Sequence, residues 1–557
     1  MNGCKNNYIL VLCFFTILLT SCPLYAVNLT PQQEQTLKSS EYNPGSLLMQ
    51  RMKEIQRIMT DSEAEKMKEN AAEEQKETEE KQKPDVPEAT IELKKLEIPD
   101  SEVLTREELD QISEKYSGKT LTIAGLYEAI DEINDLYAKK GFITTRAILP
   151  PQKIEDNIVK VMLIEGKIGQ VVVENNKSTK TAYIKRCLKV PEGVIPNVRE
   201  ISRNIQKFNT LNKTMLQIKM VAGEKPLTTD IYIVAVEPKK RRNVVLFSDN
   251  SGGESSGKYR FGLAYNDLNV SGRCDIFSLS TMYTRTSETG MISYNTPLGY
   301  NGDRLTISHN ANHMRVSKGY MKDLDVRGKS RSETITYNKA VNSTINKRNE
   351  LIVEFQKQKS ETKILGNDFV RDRDQRISIS YSAMKVKNDK IFYLKPTYTY
   401  NTHKNIDGEN FHGDRITLDS MWQKYQKKGD ILTVRVSAQK ELSNFIPSSD
   451  QYYLGGQYSV RGYNENVIGG DAGVNAKIDY SFHTKKKGLN FITFFDWGRL
   501  NGETILTTKE IYSAGFGFEY QHKGLYISVY TGYPLKRKIG DQKVDKNLTN
   551  FSLSYSF

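Results

Sequence analysis

Apolar and polar residues alternate along most of the C-terminal half of the chain. The last seven residues carry Phe551, Leu553, Tyr555 and Phe557 at every second position, with serines between them. Successive strand side chains point to opposite faces, so one face of this run is large and apolar and the other small and polar. Tyr512, Ala514, Phe516, Phe518 and Tyr520 repeat the pattern and place Ser513, Gly515, Gly517 and Glu519 on the other side. From Pro238 onward the sequence divides into such stretches separated by turns: 242–248, 258–266, 274–285, 289–297, 303–315, 330–341, 347–359 and 374–386. Eight more follow at 389–400, 412–424, 430–441, 472–482, 489–497, 511–520, 524–533 and 547–557. A strand greasy on one side and polar on the other suits a wall between lipid and water. The even total of sixteen predicts a closed antiparallel membrane β-barrel over 237–557, with Phe551, Leu553, Tyr555 and Phe557 marking its closing strand and C-terminal assembly signal.

Ahead of this region the period changes. Residues 87–236 make two passes through one order of elements, strand, helix, helix, strand, strand. In the first pass Thr90–Leu93 opens, helices are predicted at 105–116 and 121–140, and strands at 143–149 and 158–164. In the second Gly169–Val173 opens, helices are predicted at 179–188 and 198–211, and strands at 215–221 and 229–236. Tandem units of about 75 residues fit small α/β modules, here 87–165 and 166–236. Each leaves a short sheet with an open edge, to which an extended peptide can add as a further strand. Residues 27–86 form a lead-in. Leu48, Met52, Ile55 and Met59 recur at helical spacing after the break at Asn43-Pro44-Gly45, and Asp61–Lys83 is so rich in Glu, Lys and Gln that it reads as a solvated helix or linker.

Composition narrows the reading. Mean hydropathy is −0.56 and 38% of residues are hydrophobic, too polar for a bundle of membrane helices, and no apolar run beyond the N-terminus approaches the ~20 residues a spanning helix needs. The net charge of +13 is spread among acidic residues and accompanies no nucleic-acid motif. Residues 1–26 read as a signal peptide: Lys5 precedes the apolar run Tyr8–Leu19, with cleavage after Ala26. A rival reading takes Leu19-Thr-Ser-Cys22 as a lipoprotein box with Cys22 lipidated; ordinary cleavage is preferred because a barrel needs no lipid anchor. Cys187 and Cys274 fall in different domains, which argues against a structural disulfide. Asp249, Asp267, Asp303 and the six histidines show no nucleophile–base or metal-ligand spacing, Ser251 reads as a hairpin residue, and no phosphate-binding Gly-rich loop is visible. The expectation is a protein that is not an enzyme and takes no cofactor or metal.

The longest connection between predicted barrel strands, 442–471, contains Val460-Arg461-Gly462-Tyr463, and the next strand but one contains Phe494-Phe-Asp496-Trp-Gly498. A loop of that length is functional or disordered. If Asp496 faces the lumen, Phe494 and Gly498 do too, and Phe491, Phe495 and Trp497 face lipid. An aspartate in a barrel wall wants a partner, and an arginine on an inward-folded loop can meet it through two parallel hydrogen bonds. Gly462 lets the loop tip turn, and Gly498 removes a side chain where the loop approaches. Charge and spacing alone leave open that Arg461 is a surface arginine and Asp496 an unrelated lumen charge.

The pairing of V-R-G-Y before the twelfth strand with F-x-D-x-G on the thirteenth resembles the outer-membrane superfamily of BamA and the two-partner secretion transporters. Ser248-Asp-Asn250-Ser-Gly252, Gly257-Lys-Tyr-Arg260 and Asn266-Asp267-Leu268 resemble the first hairpin of the haemolysin secretion/activation family of FhaC and ShlB. Tyr137-Ala-Lys-Lys-Gly141-Phe, Pro150-Pro151 and Glu165-Gly166-Lys-Ile168 resemble the first of that family's two POTRA modules. The resemblance covers essentially the whole chain, with the long Glu/Lys-rich linker as a departure. It implies an outer-membrane protein with POTRA modules 87–165 and 166–236 in the periplasm, an Arg461–Asp496 contact, and, within the lead-in and linker 27–86, a plug helix near Pro31–Met59 that rests in the lumen; a polar lumen asks for no large apolar stripe, so this helix is expected to make few strong contacts. The implied activity is export of a large exoprotein, such as a haemolysin or adhesin, with the modules binding the cargo. Outer-membrane lipid and, during biogenesis, the barrel-assembly machinery are the other implied partners, and a monomer is expected because the barrel closes on itself. A barrel-assembly factor of the same superfamily is the nearest alternative, though such factors usually carry five modules; a passive porin needs none.

Overall fold

The computed structural model describes residues 44, 46–54, 61, 67–68, 90–253, 255–318, 322–426, 428–443, 445–504 and 507–557. The proposed signal peptide, Cys22, Ile55 and Met59 lie outside these residues. Among the described residues no helix is long and apolar enough to cross a membrane. The crossing is made by strands: sixteen of them close an antiparallel barrel from Arg242–Asp249 to Leu548–Ser556. Each pairs with its sequence neighbour, and the first pairs with the sixteenth across a seam of five residue pairs, Val245 with Ser556 through Asp249 with Ser552. A short extra piece, Tyr452–Leu454, adds to the edge of the twelfth strand, Ile468–His483.

The alternation read from the sequence sets the two faces. Leu553, Tyr555 and Phe557 are about half exposed on the outside, as are Phe516 and Phe518, whereas Ser513 is fully buried on the inside; Phe551 is partly covered, with its ring 6.2 Å from Tyr259. The wall is uneven. The first three strands have 8 residues each, but the sixth, Arg327–Thr344, and seventh, Lys347–Ile364, have 18, and the eighth, Asn367–Lys387, has 21. The sequence-predicted segments 330–341, 347–359 and 374–386 stop short because they follow the apolar outward positions. The hydrogen-bond ladder continues past the lipid, where Lys and Arg replace those residues.

The second module follows the predicted order. Lys167–Glu174, Thr228–Val236 and Met215–Ala222 form a three-stranded sheet in that spatial order, covered by helices Thr181–Leu188 and Val198–Leu211. The first module departs from it. Residues 121 and 122, the start of the predicted helix 121–140, belong instead to a strand, Lys119–Thr122, paired with Thr90–Leu93. Thr122 then caps the helix Ile123–Lys140 by accepting from the Gly125 amide. The predicted strand 158–164 is two, Ile158–Lys160 beside Lys95–Glu97 and Met162–Ile164 beside Arg146–Ile148. The two β-branched threonines at 120 and 122 and the cap signal at 122 outweigh the helical periodicity there.

The second module sits against the periplasmic turns of the barrel. The Lys180 amide donates to the Gly272 carbonyl at 2.9 Å, Thr210 Oγ1 to the Thr344 carbonyl at 2.9 Å, and Arg304 Nη1 to Asn212 Oδ1 at 3.2 Å. Cys187, on a module helix, and Cys274, on the turn between the second and third strands, do belong to different domains. The seam between those domains nevertheless brings them into one apolar cluster with Tyr183, Ile184 and Phe208, and both thiols are free. Burial pushes Cys187 up to about 12 and Cys274 up to about 11.

Because the thiolate is the reactive form, N-ethylmaleimide at pH 7.5 is expected to leave Cys187 and Cys274 unmodified in the folded protein over a time that fully labels the unfolded chain. Intact-mass measurement reads this directly, and labelling at the unfolded rate would show that the module does not cover the turn.

Candidate functional site

The connection between the eleventh strand, Ile431–Glu441, and the twelfth folds back into the barrel instead of projecting outward. At its tip Arg461 is 5% exposed and faces Asp496, which is fully buried on the thirteenth strand, Leu489–Thr504. Arg461 Nε donates to Asp496 Oδ2 at 2.7 Å and Nη2 to Oδ1 at 2.7 Å, the parallel arrangement a guanidinium and a carboxylate favour. The Arg461 backbone amide adds a third bond to the same carboxylate at 3.0 Å. Nη2 also reaches Asp479 Oδ1 on the twelfth strand at 2.5 Å. The guanidinium lies 3.6 Å over the Phe494 ring and 5.6 Å from the Tyr530 ring. Two carboxylates and two aromatic faces thus hold one cation, a stacked and bidentate site that lysine cannot reproduce.

Each neighbour of Arg461 has its own seat. Val460 is fully buried; a Cβ on Gly498 would come within 3.1 Å of it and 2.8 Å of Leu454, so the wall is left bare where the loop arrives. Gly462 has φ +89°, and its backbone lies so close to Gly532 on the fifteenth strand, Leu525–Pro534, that a Cβ on either residue would stand within 2.8 Å of the other. The Tyr463 hydroxyl is 3.0 and 2.9 Å from the Tyr512 and Lys536 carbonyls. Val460, Arg461, Gly462, Tyr463, Phe494, Asp496 and Gly498 are therefore brought together. Asp479, Tyr530 and Gly532 complete the site, and no spacing in the sequence ties them to it.

A second hold on the same loop was not visible in the sequence either. Asp450 is 2% exposed and accepts from Arg376 Nε at 2.9 Å and Arg415 Nη1 at 2.7 Å, on the eighth and tenth strands. Arg376 Nη2 also donates to Ser449 Oγ at 2.8 Å, and Gln439 Nε2 to the Asp450 carbonyl at 2.8 Å. Here the loop brings the carboxylate and the wall supplies the cations, the reverse of the Arg461 site.

The helical residues 46–54 lie inside the barrel. Leu48 is 1% exposed, and Met52, with Met49, lies beside Gln356 of the seventh strand. The expectation of few strong contacts is not met. Ser46 Oγ donates to the Ser448 carbonyl at 2.9 Å, and Gln50 exchanges hydrogen bonds with Glu465 and Asn466 of the loop at 3.1 and 2.9 Å. Glu54 accepts from Arg51 at 2.6 Å and from Arg260 at 3.3 Å, while Arg260 also donates to Asp249 at 2.5 and 2.9 Å. Ser251 is a hairpin residue, as its sequence suggests, and its hydroxyl also reaches Gln457 Oε1 of the loop at 2.5 Å. A polar lumen anchors a helix by its charged side. Two described residues of the Glu/Lys-rich stretch also meet the wall: Asp61 accepts from Arg435 at 2.7 Å, and Met67 is 2% exposed among Met384, Val386, Ile391 and Met421.

Comparison with known proteins places this geometry. Residues 228–520 match the family described as "Haemolysin secretion/activation protein ShlB/FhaC/HecB", and residues 91–166 match the ShlB-type POTRA domain. The heme/hemopexin transporter protein HuxB of Haemophilus influenzae strain 86-028NP is 21% identical over 79% of this chain and 82% of its own length. The outer membrane transporter CdiB of Dickeya dadantii is 20% identical over 80% and 82%. Among solved structures, CdiB from Escherichia coli superposes with a TM-score of 0.69 at 16% identity, and CdiB from Acinetobacter baumannii with 0.67 at 17%. Each comparison covers 96% of this chain and all of the other.

Removing Asp450 leaves Arg415 without its carboxylate and Arg376 with only Asp374, at 3.6 Å, and an unpaired buried charge costs more than the pair contributes. Asp450→Ala is expected to lower barrel stability by roughly 2 kcal/mol or more. Asp450→Ala combined with Arg376→Met and Arg415→Met should recover most of that loss. Heat-modifiable gel mobility measured against temperature compares the variants, and equal losses in both would show that the charges are solvated by lumen water.

Proposed function

The chain belongs to the ShlB/FhaC/HecB family of haemolysin secretion/activation proteins, and from that premise we propose how its parts divide the export of a large exoprotein through the outer membrane. The family's work is two-partner secretion: the barrel is the pore, and the POTRA modules face the periplasm. The exoprotein's N-terminal region is captured at the open module edges, of which Met215–Ala222 is one, by adding as a strand. The cargo then passes unfolded through the lumen, driven by its own folding outside the cell. Domain limits of 87–165 and 166–236 for the modules and 237–557 for the barrel fit this division, with the barrel-assembly machinery acting during biogenesis and the monomer as working unit.

The observation that carries the reading is the seat of Val460–Tyr463 on the Phe494–Asp496–Gly498 strand inside a barrel that bears two periplasmic modules. In this proposal Arg461 and Asp496 are a latch that keeps the loop in its working position, and residues 46–54 are a plug that must leave before cargo enters. The plug is released by exchange of its polar contacts for water, not by peeling off an apolar face.

The first test is secretion. Deleting the gene and comparing culture supernatants and outer-membrane fractions by mass spectrometry should remove one or two large exoproteins and leave other barrel proteins intact. Broad depletion of barrel proteins would instead assign the chain to barrel assembly. Arg461→Ala should cut secretion at least tenfold while the barrel still reaches the membrane, and a double-mutant cycle with Asp496→Ala should show strong coupling; additive effects would sink the latch. Deleting residues 44–60 should raise single-channel conductance in planar bilayers, and unchanged conductance would give the closing role to the loop alone.

A further inference from the structure

On the outer surface of the barrel, four cations stand side by side in register. Arg331 of the sixth strand is directly opposite Lys359 of the seventh, Lys359 opposite Arg373 of the eighth, and Arg373 opposite Lys404 of the ninth, Lys390–Lys404. With strands ~4.8 Å apart, the row is about 14 Å wide. Like charges directly opposite each other on neighbouring strands repel and destabilise the sheet. Among the described residues none of the four pairs with a carboxylate. Of the two acids beside them on the same face, Glu361 is held by Lys329 at 3.0 Å, and Glu333 stands directly opposite Lys357.

The row's direction and height follow from the alternation. The intervening residues Ser330, Ser332, Gln358, Ser360 and Asp374 are all buried on the lumen side. Arg331, Arg373 and Lys404 are exposed and Lys359 is partly so. Four positions along the same strands toward the periplasm lies a second row, Ile335, Phe355, Ile377 and Tyr400, also in mutual register and 48%, 42%, 50% and 40% exposed on the outside. That row faces lipid. The cations stand ~10 Å above it, allowing ~3.3 Å per residue and the tilt of barrel strands. The end of these strands that contacts the second module, at Thr344, is the other one, so the cations lie at the headgroup level of the outer leaflet.

We propose that this row binds the phosphate groups of phosphorylated glycolipid in the outer leaflet of the outer membrane. Phosphate supplies the missing counter-charge, the two arginines can grip it bidentately, and the apolar row below receives the acyl chains of the same molecule. The bound lipid relieves the repulsion between neighbouring strands and fixes the depth at which the tallest part of the wall sits. The binding is independent of cargo and of the loop, so it stands or falls apart from the export reading.

The test uses the full-length protein in detergent and native mass spectrometry with bisphosphorylated lipid A, fully dephosphorylated lipid A, and inorganic phosphate as competitor. The wild type is expected to retain the bisphosphorylated lipid at least about tenfold better than the dephosphorylated one, with inorganic phosphate at equal concentration displacing little. The variant R331Q/K359Q/R373Q/K404Q should lose that preference and, without lipid, melt at the same temperature as wild type or higher. Should the quadruple variant not fold, Lys359→Gln and Arg373→Gln singly should each lower the preference. Equal retention of the two lipids by the wild type, an undiminished preference in the folded variants, or displacement by inorganic phosphate would each overturn the proposal.

Discussion

In hydrocarbon there is no water to satisfy a peptide group, and every strand edge exposed to lipid would leave a row of unpaired amides and carbonyls. Closure of the first strand on the sixteenth removes the last such edge, and much else follows from that closure. The outside of the wall has only to be apolar over the height of the lipid, which leaves the inside free to carry charges. Inward positions such as Asp496, Arg376, Gln358 and Ser513 are among the most buried in the molecule. Asp496 and Arg376 are covered by a loop of the chain's own, whose polar groups take the place of water.

The contents of the lumen form one connected set. The loop carries an arginine to wall carboxylates at one point and a carboxylate to wall arginines at another, about ten residues apart in sequence. Because both points are ion pairs, sliding the loop by one register would break both at once and leave buried charges unpaired on the loop and on the wall. The helix shares this arrangement through Gln50 with Glu465 and Asn466, and the first hairpin shares it through Arg260 with Glu54 and Ser251 with Gln457. Each of these bonds is weak net of the water it replaces, so the set can be dismantled stepwise by a chain that offers equivalent polar groups.

How much of this was legible depended on whether the signal was periodic. Period-two alternation located the strands, because lipid forces it, but not the upper parts of the sixth to eighth strands, where Arg331, Lys359 and Arg373 continue a ladder that no longer faces lipid. The helix Val198–Leu211 has the bounds the sequence predicts, since Asn197 caps its start by accepting from the Glu200 amide. In the first module, the short strand 119–122 was hidden behind the helix that follows it. The Arg461–Asp496 contact was legible only through the family resemblance of the two motifs, since charge and spacing alone left open that the two residues were unrelated. Asp450 was not, being one aspartate in Ser-Ser-Asp whose arginine partners stand 35 and 74 residues away. The contacts of Asp61 and Met67 were missed for a further reason: a charged stretch looks solvated whether it lies in bulk water or beside a polar lumen wall.

The inequality of the strands gives the barrel mechanical anisotropy. A closed ladder under outward pressure behaves as a hoop, and strain collects where the fewest bonds share it. On one side the seventh and eighth strands are stitched together from Lys347 to Ile364; on the other, the first and sixteenth hold by five residue pairs. The stiff arc will keep its shape, and the compliant arc will take the deformation. Asp249 and Ser251 stand on or beside that compliant arc, bound respectively to Arg260, which also holds Glu54 of the helix, and to Gln457 of the loop. While the helix is in place it acts as a brace across the softest section of the hoop; in the proposed export its departure would unload that brace as the space it filled became free.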